Sequence, residues 1–255
     1  MSPSIWTRCA GSFRPRRIEL SAWRVVESQH VLSTRKLVDS DEEQAILEEL
    51  IDRAKPGVPA GAEFRGLHYL LFTPFRHPPL RHGSRFGTRA ERGLWYGSRE
   101  LVTSLAEVSY YRLLFLEGTA APLGTLTVEL TAFTAAIRLR AGVDLTRPPF
   151  RAYQAAIASP TSYQDSQRLG RDMRAAGMDG FLYASARAPG GGTNVGLLAP
   201  AFASKRPKMF ETWTCSADRS KVELSRRSIA QTRRARLAFE RGDFLVGGAL
   251  PAPAT

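Results

Sequence analysis

Cysteine is scarce in this 255-residue chain, with only Cys9 and Cys215. Two such distant cysteines cannot build the disulfide framework of a small secreted domain, and neither belongs to a CxxC pair suited to zinc or redox work. A reducing cytoplasm is therefore the expected compartment. Long apolar runs are also missing: no segment approaches the roughly 18 uninterrupted apolar residues of a bilayer-spanning helix. The opening MSPSIWTRCAGSFRPRRIEL is interrupted by polar and charged residues and lacks a signal-peptide core. A soluble protein with no membrane partner is expected.

Several chemical signatures are absent as well. The glycines form neither GxGxxG nor GxxxxGK[ST], so Rossmann and P-loop nucleotide binding are unsupported. No GxSxG elbow surrounds Ser185, which stands between Tyr183, Ala184, Ala186 and Arg187. His77 and His82 have no accompanying Cys, third His or HExxH, and no metal site is expected. Lysine is rare too. Only five of the 36 basic residues are lysine and the rest are arginine; against 24 acidic residues this leaves a net charge of +12. Such a balance favours anionic partners, namely phosphorylated small molecules, nucleic acid or an acidic protein.

With 43% hydrophobic residues the chain can bury one good core, so one main domain with extensions is expected. Residues 1–60 read as a basic, loosely ordered arm to about Glu27, followed by a helix after Val38. Ser40 and Glu43 have capping-box spacing, and Ile46, Leu47, Leu50 and Ile51 form a stripe that should pack on the main domain. Gly66 to Phe72 has the apolar density of a buried strand, and the prolines and glycines after it imply an irregular binding loop. Leu94 to Tyr96 reads as a short strand. A helix then runs from a Ser98 cap to about Leu116, with Leu101, Leu105, Val108 and Leu113 buried and Glu100, Thr103, Ser104, Glu107 and Tyr111 on another face.

Leu126, Val128 and Leu130 keep the period of a strand. A short helix after Ser162 should stop at Gly177, and Gly180 to Ala184 should form a strand that delivers Ser185 at its end. Two β-type runs around Ala217 and Asp218 suggest a hairpin. The tail, residues 226–255, reads as a basic helix and extension carrying Arg226, Arg227, Arg233, Arg234 and Arg236.

Four residues stand out in this frame. Arg85 in GSRFG, Tyr96 in LWYGS and Glu107 in the helix are spaced by 11 and 11 residues, and Ser185 follows Glu107 by 78. On spacing alone Glu107 reads first as an exposed helix glutamate, and Ser185 as a turn serine. Taken together with DGFLYASAR, the glycine run and Asn194, however, the pattern resembles the RES-domain family, across much of residues 61–225. The upstream ESQHVLSTRKLVDSDEEQAILEEL resembles the leader of a longer-chain branch of that family.

The resemblance implies an α+β fold, with a twisted central β-sheet and flanking helices, similar to ADP-ribosylating toxins. It also implies cleavage of the nicotinamide–ribose bond of NAD by hydrolysis or phosphorolysis, with inorganic phosphate a possible co-substrate and no bound cofactor; an extra anion site would distinguish phosphorolysis, and Arg76, Arg81, Arg89 and Arg187 are near enough in sequence to contribute to one. The implied partner is an Xre-type antitoxin, through which any nucleic-acid contact would pass; a homo-oligomer is also compatible. Glu107 would oppose the charge of a ribosyl oxocarbenium ion, and Arg85 would hold phosphate, with Arg65 a weaker second contact. Tyr96 would stack on nicotinamide, Ser185 would bond ribose or carboxamide, and Asn194 completes the binding set. Two other readings stay open. One is transfer of ADP-ribose to a macromolecule; the other is a non-enzymatic nucleic-acid-binding or interaction protein, which lacks a stacking stripe, zinc knuckle or helix-turn-helix signature.

Overall fold

The longest strand carries the architecture. In the computed structural model, which describes residues 3–28, 38–77, 82–226 and 235–252, β3 (Leu126–Asp144) is 19 residues long. It pairs antiparallel with β1 (Arg16–Glu27) from Arg16↔Gly142 to Glu27↔Leu130. On its other edge it pairs first with β6 (Lys208–Ala217) and then, in parallel, with β4 (Gly180–Ala184). With β2 (Trp95–Ser98), β5 (Thr193–Leu197), β7 (Lys221–Arg226) and β8 (Ala235–Glu240), the sheet runs β1-β2-β5-β4-β3-β6-β7-β8. Because β1 also pairs with β3, the strands β1-β2-β5-β4-β3 close on themselves. The fold is α+β, as expected.

Alternation along the strands separates two faces. In β4, Leu182 joins one core with Trp95, Phe133, Val195 and Leu197, while Phe181 and Tyr183 join another with Phe86, Leu169 and Met173. Ahead of the sheet's main strands lie α1 (Ile5–Arg8), α2 (Asp41–Ala54) and α3 (Tyr69–Arg76). Helix α3 covers the first face through Leu71 and Phe75. The second is covered by α4 (Leu101–Gly118), whose Leu105, Tyr110 and Leu113 meet β3, β6 and β7, and by α5 (Gln164–Ala175) with α1. Gly177, at φ +70°, ends α5 in the left-handed conformation open to glycine. The Asp179 carboxylate then accepts from the Arg140 and Ala141 amides at 2.7 and 2.9 Å, setting β4 beside β3.

Four local expectations change. The stretch to Glu27 is not a loose arm: alternation at Ile18, Leu20 and Ala22 places β1 beside β3 for its whole length. The apolar run GLHYLLF is not a strand. His68 caps α3 by accepting the Leu70 amide on Nδ1, and the helix continues through Pro74; a short apolar run does not distinguish the two periods. In the tail, residues 235–240 are not helical but pair with β7, Leu237 opposite Leu224 and Phe239 opposite Val222. Arg227, Arg233 and Arg234 lie outside the described residues. Thus the stretches 1–60 and 226–255 each contribute a strand to the sheet built by residues 61–225. Finally, α2 is capped by Ser40, whose Oγ accepts the Glu43 amide at 3.1 Å, yet Ile46, Leu50 and Ile51 are exposed and do not pack on the sheet.

The expected helix over α4, the strand β4 and the hairpin of β6 and β7 are all present. Ser98 does not cap α4, however: it ends β2 and turns its hydroxyl to Asn194, and the helix begins at Leu101 after Glu100, with no side-chain cap. No helix among the described residues is long and apolar enough to cross a membrane.

Candidate functional site

Glu107 is fixed by the sheet it faces. Val195 and Leu197 of β5 point into the α3 side, so Asn194 between Thr193 and Val195 faces α4. Its Nδ2 donates to Glu107 Oε1 at 2.6 Å. Its own Oδ1 accepts the Ser98 hydroxyl at 2.6 Å, which sets the amide's orientation from the neighbouring strand. Ser185, one residue beyond β4, donates its hydroxyl to the same Oε1 at 2.7 Å. The Ser185 oxygen in turn accepts the amides of Arg187 and Ala188 at 3.2 and 3.0 Å. Residues from α4, β5 and the β4 exit thus converge on one carboxylate oxygen.

The loop after Ser185 is pressed against α4. Gly192 has φ +147°, and a Cβ there would lie 2.3 Å from Thr103 Oγ1, so only glycine allows this approach. The Ser185 amide closes the loop onto the Gly192 carbonyl at 2.9 Å. Thr103 and Ser104 are accordingly buried, against the expectation that they share an exposed face with Glu107. Ser104 donates to the Trp23 carbonyl at 3.0 Å, anchoring the helix on β1.

Arg85 lies in a turn held from within by Gly83, Ser84 and Gly87 and from outside by Gln167 and Tyr96. Gly83, at φ +70°, starts it, and Ser84 and Gly87 bridge it. Gln167 Nε2 donates to the carbonyls of His82 and Ser84, each at 3.1 Å. Tyr96 accepts the Phe86 amide on its hydroxyl at 3.2 Å and shares a hydrogen bond with Ser84 Oγ at 2.9 Å. The Tyr96 hydroxyl is therefore occupied in shaping the Arg85 turn. Burial pushes its pKa up to about 12 despite those hydrogen bonds. Its ring meets Tyr183 edge-on at 6.4 Å.

Around Glu107 stands an aromatic wall. Tyr183 is buried and its hydroxyl is held well above the usual phenol range, first by burial and then by the Glu107 charge. Tyr110 is buried and pushed up to about 12, with burial outweighing the opposing charge of Arg187. The Tyr111 hydroxyl shifts the same way, through desolvation and then the proximity of Tyr163 and Glu107, although half of the residue is exposed. These phenols remain neutral donors at physiological pH. Buried among them are two guanidiniums: Arg85 over Tyr163 at 4.7 Å and Arg187 over Tyr110 at 3.8 Å.

The structure thus brings Glu107, Ser185 and Asn194 into direct contact and sets Arg85 and Tyr96 in the adjoining wall. It does not bring in Arg65, which is exposed after the turn Ala62–Phe64 and makes no contact with this group among the described residues. Sequence reasoning gave no role to Tyr111, Tyr163 or Gln167, and named Arg187 only as one of four arginines, with Arg76, Arg81 and Arg89, near enough in sequence to contribute an extra anion site. The tyrosines and the glutamine carried no spacing signal, and nothing in the sequence separated Arg187 from the other three arginines. A mostly apolar cleft of about 250 Å³ beside α3, lined by Arg24, Tyr69 and Phe210 among others, shares no residue with the Glu107 group. The convergent polar side chains mark the Glu107 group, not that cleft, as the place for chemistry. Among the described residues, no group of three or more His, Cys, Asp or Glu could hold a metal ion.

A carboxylate oriented by two donors, flanked by buried guanidiniums and neutral phenols, can oppose a developing cation while anionic groups are held nearby. Comparison with curated proteins gives no match. The family model described as the RES domain matches residues 59–218, which include Arg85, Tyr96, Glu107, Ser185 and Asn194 and make up well over half of the sequence, and the chain therefore belongs to the RES-domain family.

Proposed function

We propose that this protein cleaves the nicotinamide–ribose bond of NAD and acts as the toxin of a toxin–antitoxin pair. The observation that carries this reading is the convergence of Ser185 and Asn194 on a single oxygen of Glu107. Membership of the RES-domain family favours chemistry on NAD, and an Xre-type antitoxin is the partner that membership suggests.

Nicotinamide in NAD is already a cationic leaving group, so no strong general acid is required. As the C–N bond breaks, its electron pair neutralises the pyridinium and leaves positive charge on the ribosyl carbon and ring oxygen. Glu107 opposes that charge. Its Oε1 is held by Ser185 and Asn194, so the carboxylate needs little reorganisation as the charge develops. Its other oxygen, Oε2, is the one available for a ribose hydroxyl. Arg85 supplies a fork for phosphate oxygens, and Tyr183 and Tyr111 supply neutral walls that keep water from screening the interaction.

Attack by water gives nicotinamide, ADP-ribose and a proton. Attack by inorganic phosphate gives nicotinamide and ADP-ribose 1″-phosphate. The test is nicotinamide release from NAD by the purified protein, with and without phosphate, beside Glu107→Gln. Release that needs Glu107 supports the enzyme, and a phosphate requirement makes it a phosphorylase. Failure to release nicotinamide from protein freed of any partner overturns the reading. ADP-ribose transfer to a macromolecule would appear in the same assay as label retained on protein.

A further inference from the structure

Two buried cations stand beside Glu107 without a carboxylate of their own. Arg85 and Arg187 expose only 8% and 4% of their surfaces, and among the described residues neither forms a salt bridge. Each instead donates to one main-chain carbonyl, and the two carbonyls are consecutive. Arg85 Nη1 donates to the Ser159 carbonyl at 2.6 Å, and Arg187 Nη2 donates to the Pro160 carbonyl at 2.8 Å. A tyrosine ring backs each guanidinium, Tyr163 for Arg85 and Tyr110 for Arg187. The consecutive carbonyls bring the two guanidiniums together, and the Arg187 amide donates to the Ser185 hydroxyl that itself donates to Glu107.

Burying a guanidinium is costly unless its charge and its donors are met. A carbonyl dipole and an aromatic face meet only part of that cost. Each guanidinium carries five N–H donors, and the remainder have no protein acceptor among the described residues. Ordinary structural arginines at this depth are paired with carboxylates. Two neighbouring ones, each on a lone carbonyl, suit an anion with several oxygens.

We infer that Arg187 joins Arg85 in a two-arginine subsite for a phosphate-bearing anion, and that the Ser159–Pro160 carbonyls hold the subsite until such an anion displaces them. This rests on the reading of the site as one for a phosphorylated substrate. It adds a binding residue, Arg187, and a strap, residues 159–162. The strap is organised locally: Ser159 Oγ accepts the Thr161 and Ser162 amides at 3.3 and 3.1 Å. Those two bonds loosen as the carbonyls are released, and because they lie within the segment, α5 behind it stays folded. The displacing oxygens belong either to the diphosphate of a dinucleotide or to free phosphate.

The test uses the full chain and two probes, inorganic pyrophosphate and inorganic phosphate, titrated by calorimetry, with amide hydrogen exchange of residues 158–163 followed in parallel. Pyrophosphate should bind the wild-type protein and speed exchange at Thr161 and Ser162. Arg187→Gln should weaken binding about tenfold or more, the effect of one lost charge-assisted hydrogen bond. Arg187→Lys, which keeps charge but not the fork, should fall between and serves if the glutamine variant does not fold. Pro160→Gly, which loosens the strap, should tighten binding. Preference for pyrophosphate identifies a diphosphate subsite, and preference for phosphate identifies one for a free phosphate co-substrate. Absence of binding, binding indifferent to Arg187 in a folded variant, or unchanged exchange in the strap overturns the inference. Nicotinamide release is measured separately: cleavage without Arg187-dependent anion binding sinks the strap alone, and anion binding without cleavage sinks the NAD reading alone.

Discussion

Asn194 and Glu107, 87 residues apart, share a 2.6 Å hydrogen bond in which the amide Nδ2 donates to the oxygen that also receives the Ser185 hydroxyl. The amide cannot flip without losing a second bond, because its Oδ1 accepts from Ser98. One carboxylate is thereby oriented from three strands' worth of structure.

Replacing Asn194 by Asp should put two carboxylates at hydrogen-bonding distance. Like charges so close cannot both ionise freely, so one pKa rises. The acidic limb of the pH–rate profile for nicotinamide release should move to higher pH, and activity at neutral pH should fall. A profile identical to wild type would mean that Asn194 does not govern the carboxylate.

Glu107→Gln preserves an acceptor for Ser185 and Asn194 and should leave the melting temperature nearly unchanged. Loss of the charge should lower nicotinamide release by about 10²- to 10³-fold, the scale seen when a preorganised electrostatic group is removed. Parallel thermal unfolding and activity assays check both halves.

Gly192→Ala should destabilise the fold by about 1–3 kcal/mol, because the new methyl group meets Thr103 Oγ1 and Cγ2 at 2.3 and 2.8 Å. The same strain pulls Ser185 away from Glu107, so activity should fall further than stability. Thr103→Ala in the same chain removes those two atoms and should restore part of both. Denaturant melts and activity of the single and double variants test this.

Gln167→Ala removes the donors that hold the His82 and Ser84 carbonyls and should cost about 1–3 kcal/mol by leaving those groups unmet. The Arg85 turn should loosen. Under the NAD reading, KM should rise more than kcat falls, which steady-state kinetics can separate.

Alkaline pH should unfold the protein through its buried phenols. Tyr96 and Tyr110 have pKa values raised from about 10 to about 12, so the fold favours their neutral forms. A folded pKa above the unfolded one gives stability that is complete below about pH 10 and is lost as pH rises through about 12. Tyr110→Phe cannot ionise, and its stability should decline less steeply over that window, although at neutral pH it should be less stable by about 1 kcal/mol for its lost bond to the Pro251 carbonyl. Stability measured against pH for both proteins decides it.

Much of this was legible in the chain because local chemistry specified it. Gly177 and the apolar period before it determine where α5 stops and β4 begins, and the alternation from Leu126 determines β3. The motifs around Arg85, Tyr96, Glu107 and Ser185 carried the resemblance to the RES-domain family, whose model matches residues 59–218. Short apolar runs were ambiguous: Leu67, Leu70, Leu71 and Phe72 satisfy strand and helix alike, and only the His68 cap and the pocket for Leu71 and Phe75 select the helix. The alternating stretches of β1 and β8 became strands because β3 and β7 offered edges to pair.

By itself the sequence determined which residue types were at hand, the periods of the elements between them and the family to which they belong. Tertiary structure alone decided that Asn194, Ser185 and Glu107 meet at one oxygen, that Arg187 is buried beside Arg85, and that residues 159 and 160 hold both. Those contacts span 27 to 87 residues of chain, and sheet register and helix packing bring their partners together.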